Sequence, residues 1–142
     1  MNEISLQHAR QAIQATFEKG GEIGLKPLTA VVLDAGGHVK AFERQDGASP
    51  GRFQVAFGKA YGAVMLGMPG RAQMERAESQ PYFMTAMNGA FDGRVVPVPG
   101  GILVRNGDGA VIGALGVTGD TSDNDVEAGL AGLAAAGLDG EA

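Results

Sequence analysis

The chain contains no cysteine and no tryptophan. The first absence excludes a disulfide framework, a zinc–cysteine site, an iron–sulfur cluster and a thiol nucleophile. The second, with only six phenylalanines and two tyrosines, leaves few rings on which a flat ligand could stack. Charge of one sign is never concentrated: the formal net charge is −5 over 142 residues, with no long block of either sign. Nucleic-acid binding and adhesion to anionic membranes both draw on a basic patch, so neither is expected. No apolar run is long enough to span a bilayer, and "MNEISLQHAR" lacks the basic-then-apolar order of a secretory signal. The expectation is a cytoplasmic protein with one domain over residues 1–142, large enough to bury a core without staples.

What the chain does have is glycine, 24 residues of it, mixed with apolar runs and not gathered into linkers. That composition implies many tight turns and close backbone approaches. "SLQHARQAIQATFEKG" predicts a helix, with Leu6, Ala9, Ile13 and Phe17 at three- and four-residue steps. Ser5 is its N-cap, Gly20-Gly21 its stop, and His8 lies on its polar side. "LTAVVLD" and "HVKAFER" predict two strands around a Gly-Gly turn. Alternation places Val39 and Ala41 on one face, with His38, Lys40, Phe42 and Arg44 on the other.

Ser49-Pro50 is a helix-start signal for "PGRFQVAFGKAYGAVMLG", apolar nearly all round, in which Gly58 and Gly62 leave room for another backbone or a partner helix. Shorter helices follow in "RAQMERAES" and "PYFMTAMNG". Methionines cluster from Met65 to Met87, suited to an irregular core, a cavity wall or a subunit contact. "GILVRNGDGAVIGALGVTG" is a second hairpin, and Thr121-Ser122 caps a last helix with Val126, Leu130 and Leu133 facing inward. Two hairpins among helices predict an α+β fold with an antiparallel sheet.

Each chemical candidate has a structural alternative. Asp34, Gly36 and Gly37 match turn chemistry, the carboxylate capping local N–H groups. His38 fits either a hydrogen-bonded surface role or ligation and proton transfer, since the chain has only two histidines. Arg44 with Asp46 reads as a capping ion pair or as a carboxylate-recognising fork. Lys59, on a mostly apolar helix, must pair with a core-edge carboxylate or act on an anion or carbonyl with a shifted pKa. Glu75 and Glu78 share a helical face, as paired surface glutamates commonly do and as a hard-metal site would require; no histidine lies near them in sequence. "GDGAVIG" lies between two strands and is rejected as a dinucleotide loop, while "GVTGDTS" opens a helix where an anion could dock. Nothing matches a serine triad.

The ordered set "VVLDAGGHVKAFERQDG", "GKAYGAV", "VPVPGG" and "GAVIGALGVTGDTSDND" resembles the GlcG/HbpS family of haem-binding or haem-degrading domains, from about Ser5 to Leu138. That family includes the C-terminal domain of PduO-type adenosyltransferases. The resemblance implies a profilin-like fold, with a central antiparallel sheet of about five strands flanked by helices. It also implies homo-oligomers, whether dimer, tetramer or octamer. The family pattern falls on Asp34, Gly36, Gly37, His38, Phe42, Arg44, Asp46, Lys59 and Asp125, among others. The chain departs from the pattern at Ile102-Leu103 and Thr118-Gly119, and in the apolar "FQVAFG".

Three functions follow. The first is a small-ligand binder, with haem as the cofactor: His38, His8 or a methionine would be axial ligand, Phe42 a ring contact, and Arg44 or Lys59 a propionate partner. The second is an enzyme on a small hydroxy or oxo acid, with Arg44 gripping a carboxylate and Lys59 and His38 transferring protons. The third is an oligomeric partner without chemistry of its own.

Overall fold

The computed structural model describes all residues from Met1 to Ala142. Ten elements follow in order: α1 (Leu6–Glu22), β1 (Thr29–Asp34), β2 (Val39–Arg44), α2 (Arg52–Leu66), α3 (Gly70–Ser79), α4 (Pro81–Ala90), β3 (Gly101–Arg105), β4 (Val111–Thr118), α5 (Ser122–Ala135) and β5 (Asp139–Glu141). The strands form one antiparallel sheet in the order β2-β1-β4-β3-β5. The fold is therefore α+β, an open five-stranded sheet flanked by helices, as expected. The short fifth strand, "DGE", carries no strand pattern and was implied only by the family resemblance.

Both faces of the sheet are covered, which explains why β1 and β4 are apolar almost throughout. On one face, α1 and α5 enclose Ile13, Leu28, Val32, Ile102, Leu115 and Leu133. Each such side chain contributes about 1.5–3 kcal/mol through burial. The two helices approach closely because a Cβ at Gly132 would meet the Ala12 carbonyl and the Thr16 hydroxyl. On the other face, α2 lies against β4 with Ala56 and Ala60 over Gly116, while α3 and α4 sit further out.

The caps at the sequence-predicted starts of α1 and α5 are present: the Ser5 hydroxyl accepts from the His8 N–H, and the Thr121 hydroxyl accepts from the Asn124 N–H. Other expectations are corrected. Helix α1 runs through Gly20-Gly21 to Glu22, because Gly20 is buried against Leu28. Helix α2 starts after Gly51, with no side-chain cap from Ser49. Leu130 is exposed. Of the two readings for Gly58 and Gly62, the first holds: they receive the chain's own Arg94–Val96 segment and Gln73, which leaves no room there for a partner helix.

The correction that matters most lies in β2. The register shifts between Val32 and Leu33, so that Ala41 opposes Val32 while Val39 opposes Leu33, and Lys40 is the extra residue. This bulge puts Val39 and Ala41 on opposite faces. His38 belongs to the turn and not to the strand. Only Phe42 and Arg44, opposite Val31 and Thr29, keep the face assigned from the sequence, and that face looks toward α2.

Candidate functional site

The outer border of the sheet, from the β1–β2 turn along β2, gathers most of the unengaged chemistry. Its start is a tight turn. Asp34 Oδ1 accepts from the N–H groups of Gly36 at 2.9 Å and His38 at 3.0 Å, and Gly37 takes φ +84°. Slight desolvation pushes the Asp34 pKa up, but these N–H groups and the His38 ring outweigh it and hold the carboxyl below its ordinary value. The same oxygen lies 3.2 Å from His38 Nδ1. In the neutral ring a proton on Nδ1 satisfies this carboxylate, and Nε2, which has no partner within the chain, then presents a lone pair. The His38 side chain is 80% exposed, so this nitrogen is open to an incoming group.

Phe42, 38% exposed, sits midway along β2 and meets Phe53 edge-on at 4.8 Å. From there a line of rings continues through Phe57 and Tyr61 to Phe91, with the Arg94 guanidinium over Tyr61. The sequence contains few aromatics, yet five of them form one contiguous row.

Grooves run on both sides of β2. Between α1 and β2 lies one of about 740 Å³, whose walls include Leu6, Arg10, Phe17, Lys40 and Phe42. It continues into a second of about 570 Å³, lined by Arg44 and Asp46 together with Gly20, Gly21, Leu25, Lys26 and Pro27. A third, on the α2 side, lies between Arg44, Phe42, Pro50 and Phe53. Arg52, Arg71, Arg76, Arg94 and Arg105 all donate side-chain hydrogen bonds within the chain. Arg10, Lys40 and Arg44 donate none and enter no ion pair, and all three line these grooves; Lys26, in the second groove, is likewise without a side-chain partner. Of the two readings for Arg44 and Asp46, the ion pair does not form, and both side chains line the second groove.

Lys59 is elsewhere. It is 3% exposed, and its ammonium donates to the Val117 carbonyl at 3.0 Å and to Asp125 Oδ2 at 3.2 Å. Asp125 is fully buried, and its other oxygen accepts from the Asp120 N–H at 2.9 Å. Desolvation lowers the Lys59 pKa, the attraction of Asp125 offsets part of that, and nearby Arg52 adds to the lowering. Desolvation likewise raises Asp125 despite the ammonium beside it. Lys59 lines none of the principal surface grooves and does not look across a pocket at His38 or Arg44.

The remaining candidates are also dispersed. His8 is half-buried on α1, its Nδ1 2.7 Å from the Ser5 hydroxyl. No group of three His, Asp or Glu side chains stands together as a metal site would need, and Glu75 and Glu78 are exposed on α3. The start of α5 is occupied by the chain's own carboxylates: Asp120 accepts from Thr121 N–H, Asn124 and Lys26 N–H, which bring its pKa down to about 2. Among the clustered methionines only Met84 is buried, at a pocket of about 520 Å³ between α3, α4 and Val95. Sequence reasoning missed Arg10; the available signal was its place on the same stripe of α1 as Leu6, Gln14 and Phe17.

Comparison with known proteins fits this frame. A family model described as haem degrading protein HbpS-like matches residues 4–134. An uncharacterized 15.0 kDa protein from the dhaT-dhaS intergenic region of Citrobacter freundii is 31% identical over 122 residues, covering 86% of this chain and 84% of that protein. Among solved structures, a PduOC:heme complex superposes with a TM-score of 0.85 at 23% identity, covering 96% of this chain and 97% of that one. A variant of HbpS from Streptomyces reticuli superposes with a TM-score of 0.79 at 26% identity, covering 94% and 87%. The chain belongs to the HbpS-like family.

Proposed function

We propose that this protein binds haem along the β2 border, with His38 as the iron ligand and Phe42 as a contact for the macrocycle. The observation that carries this reading is His38 itself: an exposed imidazole with Nδ1 held by a carboxylate and Nε2 free. Metal-ligating histidines are commonly oriented in this way by a second group. Three further features fit a flat, apolar, anionic ligand. Phe42 offers an exposed ring, a groove of about 740 Å³ adjoins it, and Arg10, Lys40 and Arg44 line that groove or its continuation without a partner of their own. Haem supplies an iron whose reactivity is set by its ligand and surroundings. The family's description and the haem-bound relative of the same fold support the choice of cofactor.

The test is a titration of the purified protein with haem, followed by absorbance. The expected result is a saturable one-to-one Soret shift that is lost in His38→Ala and retained in His8→Ala. No saturable shift, or an unchanged band in the His38→Ala/His8→Ala double variant, would overturn the reading.

The alternative of proton transfer on a small hydroxy or oxo acid is disfavoured by Lys59, which is buried and closed against Asp125. Self-association belongs to the proposal as well. Helix α4 carries no charged residue and buries only Met84, leaving Tyr82 exposed, as a face shared with a second copy would. Light scattering of the purified protein tests it: a mass of two or more chains is expected, and a monomer at all concentrations would contradict it.

A further inference from the structure

The geometry points to Arg10 and Lys40 as a two-cation clamp for a pair of carboxylates, which makes this border selective for a dicarboxylate porphyrin; this rests on the haem reading above. Arg10 comes from the α1 wall of the α1–β2 groove and Lys40 from the β2 wall. The continuing groove fixes which ends meet, because the C-terminal end of α1 lines it together with Arg44–Asp46. Arg10, near the start of α1, therefore lies at the Lys40 end of the groove, beside the His38 turn. Glu18 and Glu43 line the same groove from the later parts of α1 and β2, and Glu18 accepts from Gln14 at 3.2 Å. The groove is thus polarised along its length, cations toward His38 and carboxylates away from it.

Arg10 and Lys40 have no carboxylate of their own, unlike Arg71, Arg94 and Arg105, which pair with Asp123, Asp92 and Glu141. The bulge that makes Lys40 the extra residue of β2 is what frees it from simple alternation and lets it line the α1 side. His38 lies in the turn two residues before Lys40 and lines none of the grooves itself, so a ligand held by its ring must extend from the turn into the α1–β2 groove to reach the clamp. Arg44, at the other end, lines the neighbouring grooves and not this one.

The experiment compares three probes: haem, metal-free protoporphyrin IX, and haem dimethyl ester, whose carboxylates are blocked. Each is titrated into the unaltered protein, Arg10→Gln/Lys40→Gln, and Arg44→Gln. The clamp predicts that the double variant binds both haem and metal-free protoporphyrin about tenfold or more weakly, since charge-assisted contacts are lost. It also predicts that the ester binds the unaltered protein about as weakly as haem binds the variant, and that Arg44→Gln has the smaller effect. If haem binds with the His38-dependent Soret shift but neither the double variant nor the ester weakens it, the clamp is wrong and the haem reading stands. If metal-free protoporphyrin binds and the double variant loses it while no Soret shift develops, the clamp stands and His38 ligation falls. Absence of binding by all three probes overturns both.

Discussion

Two regions of this molecule treat their cations in opposite ways. Inside, between α2 and α5, Lys59 is surrounded: it has a carboxylate, a carbonyl and almost no solvent. At the β2 border, Arg10, Lys40 and Arg44 have water and no intramolecular partner. The buried lysine is the greater anomaly in the sequence and the lesser functional candidate, because its unusual position is fully answered by Asp125. The border residues look ordinary in the sequence, and what distinguishes them is the lack of an internal role. An unusual residue with a complete set of partners explains stability, and a usual one without partners is where a ligand can act.

The sharpest way to break this contrast is to remove one member of the buried pair. Lys59→Met or Asp125→Leu alone leaves an uncompensated charge in the core and should cost about 3–5 kcal/mol of unfolding free energy. Lys59→Met/Asp125→Leu together should cost well under the sum. Denaturant unfolding of the four proteins measures this, and additive losses would mean that the two groups do not act as a pair. Next in size is the turn that holds His38. Asp34→Ala removes the acceptor for two N–H groups and the His38 ring, with an expected loss of about 1–2 kcal/mol and weaker haem binding. Unchanged haem affinity would show that the imidazole needs no orientation. A similar loss of about 1 kcal/mol is expected for Thr121→Ala, without effect on haem, because that cap lies on the α5 side.

The smallest effect is acid-dependent. Asp120 has its pKa depressed in the folded state to about 2 by Asn124, Lys26 and Thr121. A depressed carboxylate contributes stability above its unfolded pKa, near 3.8, and that contribution disappears as pH falls toward about 2. Asp120→Asn should therefore flatten the stability profile within that window and leave the neutral range with a constant offset. A variant as acid-sensitive there as the unaltered protein would assign the loss to other carboxylates.

Much of the fold was legible because its signals are local. Ser5 and Thr121 announced their helices through capping chemistry, and Asp34-Ala35-Gly36-Gly37 announced its turn through a short side chain followed by glycines. What was not legible depends on partners distant in sequence. Strand β5 exists because Asp139–Glu141 meets β3, and nothing in "DGE" encodes that meeting. The β2 bulge is set by its register on β1, so counting alternate residues gave Val39 the wrong face. Lys59 was recognised as needing a partner, but Asp125 lies sixty-six positions away and only the fold brings it near. Arg10 passed as a polar helix residue because its unpaired state is a property of the whole structure. The family pattern reached His38, Phe42, Arg44 and Lys59 without indicating that His38 sits in the turn, that Phe42 and Arg44 stand on β2, and that Lys59 is inside.

One measurement addresses the central contrast directly: haem titrations of the unaltered protein, His38→Ala, and Lys59→Met/Asp125→Leu, at a temperature where all three are folded by circular dichroism. The account predicts that His38→Ala loses the Soret shift while the double variant, altered only in the core, keeps it with unchanged affinity. Retention of the shift in His38→Ala, together with its loss in a folded Lys59→Met/Asp125→Leu protein, would contradict the account and return the buried pair to the ligand site.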